Sequence, residues 1–335
     1  MQHRDWNWED LFQAANAEGA LPALSSALAE GLELSLPSDV SDFLASVLTL
    51  NRERNALIRE ETATAARLLN DHGIEPVLLK GLAYLATGVY KDPGARFLLD
   101  IDLLVPEAQL DRAAQILKDN GYFEDDSDRF GHFRHHHPQL SRPGSPAIEI
   151  HHRLGMGRCG SLLPAREVIA RSVPFDLDGA RVRVPCPEHL MTHLIMHSQM
   201  QHPYHERIWP PVRAMYDLIQ LQRSASIDWN IVEKSDLLIL HLLDVRTELG
   251  FHPPLSLRRT VLIQLRQLRR RLIRQFPLLR YLDPIYMFSE ICTRRVRVLR
   301  NVLTTRNGLK YLLEQLSACD LYHRFLTDVL EGRGR

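Results

Sequence analysis

Two aspartates alternate with apolar residues in the segment LDIDLLV at residues 99–105, and this segment constrains the fold most strongly. Side chains alternate across a strand, so Asp100 and Asp102 lie on one face while Ile101 and Leu103 lie on the other. Two carboxylates on one face of an apolar strand repel each other. A divalent cation removes that repulsion, and magnesium prefers carboxylate oxygens. The segment therefore predicts a strand that carries a metal site.

Three neighbouring features favour the metal site over a strand that simply ends in a solvated aspartate. Lys80-Gly81 forms a glycine turn after a short apolar run, where backbone amides can approach a phosphate. Arg96 stands just upstream of the strand, and a guanidinium group forks onto phosphate oxygens. Glu149 is a further acid within an apolar run, AIEIH at residues 147–151. Together they indicate a site for metal and phosphate.

The hydrophobic pattern predicts an α+β chain with a small mixed sheet and flanking helices. Residues 5–70 follow a helical period that ends at Gly73. The elements predicted next are a strand at 76–80, a short helix at 82–90, a turn at Asp92–Gly94, a strand at 97–105, a helix from Pro106 to about Gly121, and hairpins at 132–152 and 172–185. We therefore expect an N-terminal helical region (1–70), a core (71–186) and a helical C-terminal region (187–335).

The core segment resembles a known enzyme family. LLKGLAYLATGVYKDPGARFLLDIDLLV and AIEIHHRL, within residues 76–153, are similar to the uncharacterised nucleotidyltransferase family of the polymerase-β-like superfamily. The shared pattern is an LKG turn, an arginine, a DxD strand, and a later strand in which a histidine follows a glutamate by two residues. A looser similarity continues to about Leu221.

The resemblance implies a metal-dependent enzyme that moves NMP from an NTP, expected to be ATP, to an acceptor. Magnesium, or manganese in its place, would be the cofactor, and two ions about 4 Å apart would clamp the attacking and leaving oxygens. The implied catalytic and metal-binding residues are Asp100, Asp102 and Glu149. The residues implied for binding the nucleotide phosphates are Lys80, Gly81 and Arg96. The acceptor stays open between a protein, an RNA and a small molecule.

Three further residues are candidates for an accessory role. His151 lies two residues beyond Glu149 and would share its face, so we expect it to line the acceptor or phosphate site. Arg213 and Asp217 are four residues apart on a predicted helix. An ion pair within that helix and a role in contacting the nucleotide or orienting the core are equally favoured for these two residues.

The other histidines are expected to be structural. His132, His135–His137, His151 and His152 fall in facing strands, but their spacing fits no standard zinc motif. His189, His193 and His197 share one helix face, and no HExxH motif is present, so packing against the core is favoured over a metalloprotease site.

The C-terminal part is strongly basic although the whole chain is neutral. Residues 251–335 carry 17 Lys and Arg against 6 Asp and Glu, a net charge of +11. An amphipathic, arginine-rich helix is predicted at 257–276. A solvated face attracted to the acidic remainder is the leading interpretation. RNA binding and contact with a membrane surface are the alternatives.

Cysteine content and hydropathy indicate the cellular compartment, while two alternative functions stay open. The four cysteines are scattered without a CxxC pair, the N-terminus lacks a signal pattern, and no apolar run approaches a membrane span. A cytoplasmic protein is therefore expected. The alternative functions are a non-catalytic nucleotide-binding regulatory or interaction protein, and a structural helical module in which the acids have no role.

Overall fold

A computed structural model describes residues 7–31, 36–124, 135–155, 158–198, 211–229 and 261–281, with isolated positions between 239 and 250. The helices that precede the last strand are α1 (Trp8–Ala17), α2 (Leu21–Gly31), α3 (Ser38–Asn70), α4 (Lys80–Ala86), α5 (Leu110–Asp119), α6 (Arg158–Leu162) and α7 (Ala165–Arg171). Those that follow it are α8 (Pro187–Met196), α9 (Val212–Ser224) and a basic helix at Val261–Gln275. The strands are β1 (Val77–Leu78), β2 (Ile101–Leu104), β3 (Phe123–Glu124), β4 (Leu140–Ser141), β5 (Ile148–His151), β6 (Val173–Leu177) and β7 (Ala180–Val184).

These strands form one mixed, seven-stranded sheet in the order β3-β4-β5-β2-β1-β7-β6. Strand β2 lies at its centre, antiparallel to β1 and parallel to β5. Strand β1 continues the sheet by pairing parallel to β7. All four residues of β2 are buried, so the strand is covered on both faces. An acid on such a strand lies within the core unless the turns around it leave an opening.

The long helix α3 supports the sheet through one continuous face. Its buried positions recur every three or four residues, the spacing that keeps side chains on one side of a helix. They include Leu44, Leu48, Asn51, Asn55, Ile58, Thr62, Ala66 and Leu69. The helix lies against β7 and α5 and against the turn Pro93–Ala95. It ends at Asn70, and Gly73 in the turn that follows has a φ of +76°, which suits a residue without a side chain.

One hydrophobic core joins the sheet to the helices on either side. It begins at Ile58 in α3, includes β1, β2, β5 and β7, and continues through α8 and α9 to Leu243. A smaller cluster joins Leu28 in α2 to Val40 and Leu44 in α3. The described ends of the chain are thus helical and the middle carries the sheet.

The predicted α+β class, with a small mixed sheet between helices, is confirmed. Both hairpins are present where they are described: Leu140 pairs with Ile148, and β6 joins β7 through Asp178-Gly179, both with positive φ as a two-residue turn requires. The strand predicted at 97–105 is shorter, because it enters the sheet only at Ile101. Strand β3 and helices α6 and α7 were not predicted from the sequence.

Several predictions concern residues outside the described part. His132 and Arg258, together with residues 282–335, belong to that group. The basic helix is described from Val261 to Gln275, within the predicted 257–276. Over the described residues, no helix combines the length and the apolar character that crossing a membrane requires.

Candidate functional site

The parallel pairing of β2 with β5 brings two predicted acids side by side. Asp102 is aligned with Glu149, and Leu104 with His151. Residues aligned in neighbouring strands point to the same face of a sheet, so the two carboxylates share one face. The backbone fixes this register, since Ile101 N donates to Ala147 O at 2.9 Å and Val105 N donates to His151 O at 2.9 Å.

Asp102 is the most enclosed acid of the site, with 3% of its surface exposed. Its Oδ1 lies 2.6 Å from the Lys80 ammonium nitrogen and 2.7 Å from His151 Nε2. Burial alone would raise the pKa of Asp102, but the charge of Lys80 and the hydrogen bond from His151 outweigh it and hold the pKa well below its usual value. Asp102 is therefore an anion at neutral pH.

Glu149 contacts the same two residues more loosely. Its Oε2 lies 3.4 Å from His151 Nε2 and 3.8 Å from Lys80 Nζ. Burial would raise its pKa, but the His151 hydrogen bond and Lys80 lower it despite repulsion from Asp102. For His151 the directions are reversed. Burial alone would lower its pKa, but its hydrogen bonds to the Asp102 and Glu149 carboxylates raise it. The imidazole therefore acts as a hydrogen-bond donor that holds two acids together.

Asp100 stands at the entrance of β2 and is half-buried. Burial, followed by repulsion from Asp102, raises its pKa from 3.8 to about 6, with Lys80 opposing the shift. Among the described residues no cationic side chain lies within ion-pairing distance of its carboxylate, unlike that of Asp102. Asp100 is thus the acid whose charge the protein leaves least compensated.

The sharp turn from β1 into the first residue of α4 brings Lys80 to these acids. Lys80 has a φ of +49°, a left-handed conformation that is uncommon for a residue with a side chain. Its ammonium lies on Asp102, and 21% of the side chain is exposed. Gly81 is small for a packing reason, since a Cβ there would stand 2.4 Å from Leu98 Cδ2 and 3.5 Å from the Arg96 guanidinium carbon.

Arg96 is buried beneath this turn and joined to α9. Its Nε lies 2.7 Å from Asp217 Oδ1, which also accepts a hydrogen bond from the Tyr90 hydroxyl. Burial would lower the pKa of Arg96, but Asp217 raises it, so the guanidinium stays charged. The backbone carbonyl of Arg96 accepts hydrogen bonds from Asn51 and Asn55 of α3, at 3.1 and 2.7 Å. Arg96 therefore links α3, the entrance to β2 and α9.

Neutral histidines complete the surroundings of the acids. The ring centroids of His135 and His136 each lie 5.3 Å from that of His151. Burial, followed by the nearby charge of His151, lowers the pKa of His135 well below 6.5. Burial and the charge of Lys80 lower the pKa of His193 to about 3. The His135 and His193 rings are therefore uncharged at neutral pH and add no positive charge to the site.

The donor set fits a divalent cation. Ligand atoms of Asp102, Glu149 and His151 all lie within 4.8 Å of one another, the spacing that ligands of a single ion show. Carboxylate oxygens suit magnesium and manganese. His151 fits the role of ligand less well, because its buried Nδ1 meets no hydrogen-bond partner among the described residues. A metal-binding histidine usually donates from its second nitrogen.

The structure brings together some of the predicted site residues and separates others. Lys80, Gly81, Asp102, Glu149 and His151 meet around the end of β1, with Asp100 close enough to share their electrostatic field. Asp217 and Arg96 form a second, buried group. Arg213 instead lies beside the turn between α1 and α2, with Nη1 3.0 Å from the place where a Cβ would stand at Gly19.

The residues that support the site from a distance were not predicted from the sequence. Asn51 and Asn55 interrupt the apolar face of α3 at helical spacing, and a buried amide at such a position needs a partner. That interruption was the available signal. No such sequence signal pointed to Tyr90, because nothing in the local sequence connects it with Asp217, 127 residues away.

A comparison with known protein families identifies one that matches this chain. A family model described as an uncharacterised nucleotidyltransferase matches residues 4–238. None of the curated proteins compared with the chain matches it.

Three solved structures are similar to part of this chain at low identity. An antigenic nucleotidyltransferase-like protein from Paracoccidioides brasiliensis is 16% identical, with a TM-score of 0.41, over 58% of this chain and 88% of that chain. The antibiotic-resistance factor ANT(2'')-Ia is 12% identical, with a TM-score of 0.34, over 58% of this chain and 93% of that one. The Megavirus polyadenylate synthase is 15% identical, with a TM-score of 0.34, over 62% of this chain and 41% of its own.

Proposed function

The chain belongs to the uncharacterised nucleotidyltransferase family, and we propose that it moves NMP from an NTP to an acceptor by in-line displacement with divalent cations. The observation that carries this proposal is the register of β2 and β5, which places Asp102 beside Glu149, with Asp100 at the strand entrance. Three acids in one partly buried place are costly unless a cation joins them. Positioning and charge neutralisation are the main requirements of phosphoryl chemistry.

The cation site is assigned to Asp100, Asp102 and Glu149. When bound, magnesium or manganese would neutralise the phosphate charge and lower the pKa of the acceptor hydroxyl. Asp102 and Glu149 are kept ionised by Lys80 and His151, so both present anionic oxygens at neutral pH. His151 orients the two carboxylates by hydrogen bonds at 2.7 and 3.4 Å.

The nucleotide phosphates are assigned to the turn after β1. Lys80 is the cationic side chain that joins this turn to the acids, and it keeps partial access to solvent. Gly81 follows it and keeps the turn narrow beside Leu98. Arg96 would contact phosphate only after leaving Asp217, so its first contribution is to hold the entrance of β2 in place.

The acceptor is the open part of the proposal, and a protein, an RNA and a small molecule are all retained. An RNA end is kept as one acceptor class because residues 251–335 carry a net charge of +11. ATP is the proposed donor.

The test is magnesium-dependent transfer of label from α-labelled ATP, GTP, CTP and UTP in a host lysate. Asp100→Asn is the inactive variant, and Asp111→Asn, an exposed acid on α5, is the matched control. We expect label on one acceptor class with wild type and the control, and none with Asp100→Asn. Equal labelling by Asp100→Asn would refute the assigned carboxylates.

Nucleotide binding without transfer would favour the alternative function. A non-catalytic family member that senses nucleotide would be stabilised by NTP with magnesium and would label no acceptor. A structural module would show neither effect. The thermal shift produced by NTP and magnesium therefore separates the two, and it needs no knowledge of the acceptor.

A further inference from the structure

The Lys80 ammonium is already positioned as a cation among the acids. It lies 2.6 Å from Asp102 Oδ1 and 3.8 Å from Glu149 Oε2, on two of the carboxylates assigned to the divalent ion. Two positive charges this close repel strongly in a poorly hydrated site. A divalent cation that uses Asp102 must therefore compete with Lys80 for the same oxygens.

The backbone of Lys80 shows that this arrangement is imposed by its surroundings. Its φ of +49° is costly for a residue with a Cβ, and such conformations persist where neighbouring structure over-determines them. Lys80 is the first residue of α4, one residue after β1, whose Val77 and Leu78 are paired in the sheet. The turn thus holds the ammonium over the acids in the protein without ligands.

The side chain also has somewhere else to go. Part of Lys80 is exposed, whereas Asp102 beneath it is almost fully enclosed. A lysine that leaves Asp102 in this half-open site needs a new anionic partner, because its own charge is costly without one. A nucleoside triphosphate supplies several anionic oxygens.

From this geometry we infer that Lys80 makes metal and nucleotide bind as a unit: it occupies the acids until a triphosphate draws its ammonium away. The inference rests on the proposed function and deepens it. Metal alone binds weakly, since it must displace Lys80 without compensation. Metal with nucleotide binds well, since the phosphates receive the ammonium while the acids receive the metal. Each ligand therefore strengthens the other, as linkage requires.

The decisive variant is Lys80→Gln, because the inference predicts effects of opposite sign on the two ligands. Without the ammonium, Mn²⁺ alone should bind about tenfold more tightly, within the usual range of coupling between sites. The nucleotide, measured at saturating Mn²⁺, should bind at least about tenfold more weakly, since a charge-assisted contact is lost. A lysine that served only the fold would weaken both ligands, and one that served only phosphate would leave Mn²⁺ binding unchanged.

The experiment measures free Mn²⁺ by electron paramagnetic resonance during titration of the full chain without nucleotide. Equilibrium dialysis at saturating Mn²⁺ then measures the binding of an ATP analogue. A methylene group between its α and β phosphates prevents turnover. Lys80→Arg retains the charge and should keep Mn²⁺ binding within about threefold of wild type. Lys91→Gln, an exposed lysine outside the site, should match wild type in both assays.

The outcomes separate this inference from the proposed function. Tighter Mn²⁺ binding and weaker analogue binding in Lys80→Gln support it. Unchanged or weaker Mn²⁺ binding in Lys80→Gln, with wild type binding both ligands, overturns the inference and leaves the proposed function standing. If wild type binds neither Mn²⁺ nor the analogue, both fail. Should Lys80→Gln not fold, tighter Mn²⁺ binding by Lys80→Arg than by wild type would overturn the inference.

Discussion

At the scale of single residues, the site treats its two aspartates in opposite ways. Asp102 receives Lys80 and His151, and its pKa falls well below the usual value. Asp100, two residues earlier, is desolvated without such partners, and its pKa rises to about 6. The surroundings therefore stabilise the anionic form of Asp102 and destabilise that of Asp100. The sequence pattern alone could not distinguish the two residues.

Removing the charge of Asp100 should stabilise the metal-free protein. A pKa raised from 3.8 to about 6 means that ionised Asp100 opposes folding above about pH 6 and has no such cost below about pH 4. Two pKa units correspond to at most about 3 kcal/mol, and partial exposure reduces this to about 1–2 kcal/mol. Asp100→Asn should show that gain in urea denaturation at pH 8, and the gain should shrink at pH 5. A loss of stability at pH 8 would contradict the assignment.

Asp102→Asn should have the opposite effect. It leaves Lys80 and His151 near a neutral amide, and breaking a buried ion pair costs about 3 kcal/mol or more. Because its pKa is lowered in the folded protein, the contribution of Asp102 is present above its unfolded pKa and disappears as pH falls through the folded value. Urea midpoints of Asp102→Asn and wild type should therefore converge only in strong acid. Equal midpoints at pH 7 would show that Asp102 is not paired.

At the scale of elements, α3 acts as a frame for the strand entrance. Asn51 donates to Gly94 O at 2.7 Å and Asn55 to Pro93 O at 2.6 Å, so two amides hold the turn before β2. A Cβ at Gly94 would stand 2.8 Å from the Leu48 carbonyl oxygen, which shows how closely turn and helix approach. The position of Asp100 therefore depends on a helix that ends thirty residues earlier in the chain.

Asn55→Ala should reduce both stability and turnover. The variant leaves the Pro93 carbonyl without its donor and the Arg96 carbonyl with Asn51 alone, which costs about 1–3 kcal/mol. Glu53→Ala, on the solvent-exposed side of the same helix, is the control and should cost less than about 0.5 kcal/mol. Thermal denaturation and kcat are the measurements. If both variants behave alike, the amide does not hold the turn.

At the scale of the whole molecule, a buried ion pair joins the sheet region to the C-terminal helices. Arg96 precedes β2 and Asp217 lies in α9, and both are buried. Asp217 also receives the Tyr90 hydroxyl. The core cluster extends to Leu243, so described helical residues after α8 pack into the same core as the sheet.

A double-mutant cycle should reveal this connection. Arg96→Met or Asp217→Leu alone leaves the other charge buried and should destabilise the protein by about 3–5 kcal/mol. The double variant should lose markedly less than the sum of the two, by at least about 1 kcal/mol, because neither charge remains. Chemical denaturation of the four proteins gives the coupling energy. Strict additivity would mean that the pair contributes nothing as a pair.

Local sequence determined the elements with a strong short-range signal. Three such features were predicted: the helical period of α3 with Gly73 in the turn after it, the Asp178-Gly179 turn, and the alternation at Ile101–Leu103. Each depends only on residues that are close together in the sequence. The family resemblance likewise selected the three acids and Lys80. These are the features that backbone sterics and side-chain periodicity fix locally.

Only the tertiary structure decided how those residues act. The alignment of Asp102 with Glu149 depends on the parallel pairing of β2 with β5, and strand pairing is a non-local choice. Lys80 meets Asp102, and Arg96 meets Asp217, through contacts between distant segments. Electrostatic energies depend on burial and on distances of a few ångströms, which sequence spacing does not contain. The sequence therefore determined which groups were available, and packing decided which of them remain charged, paired and accessible to a ligand.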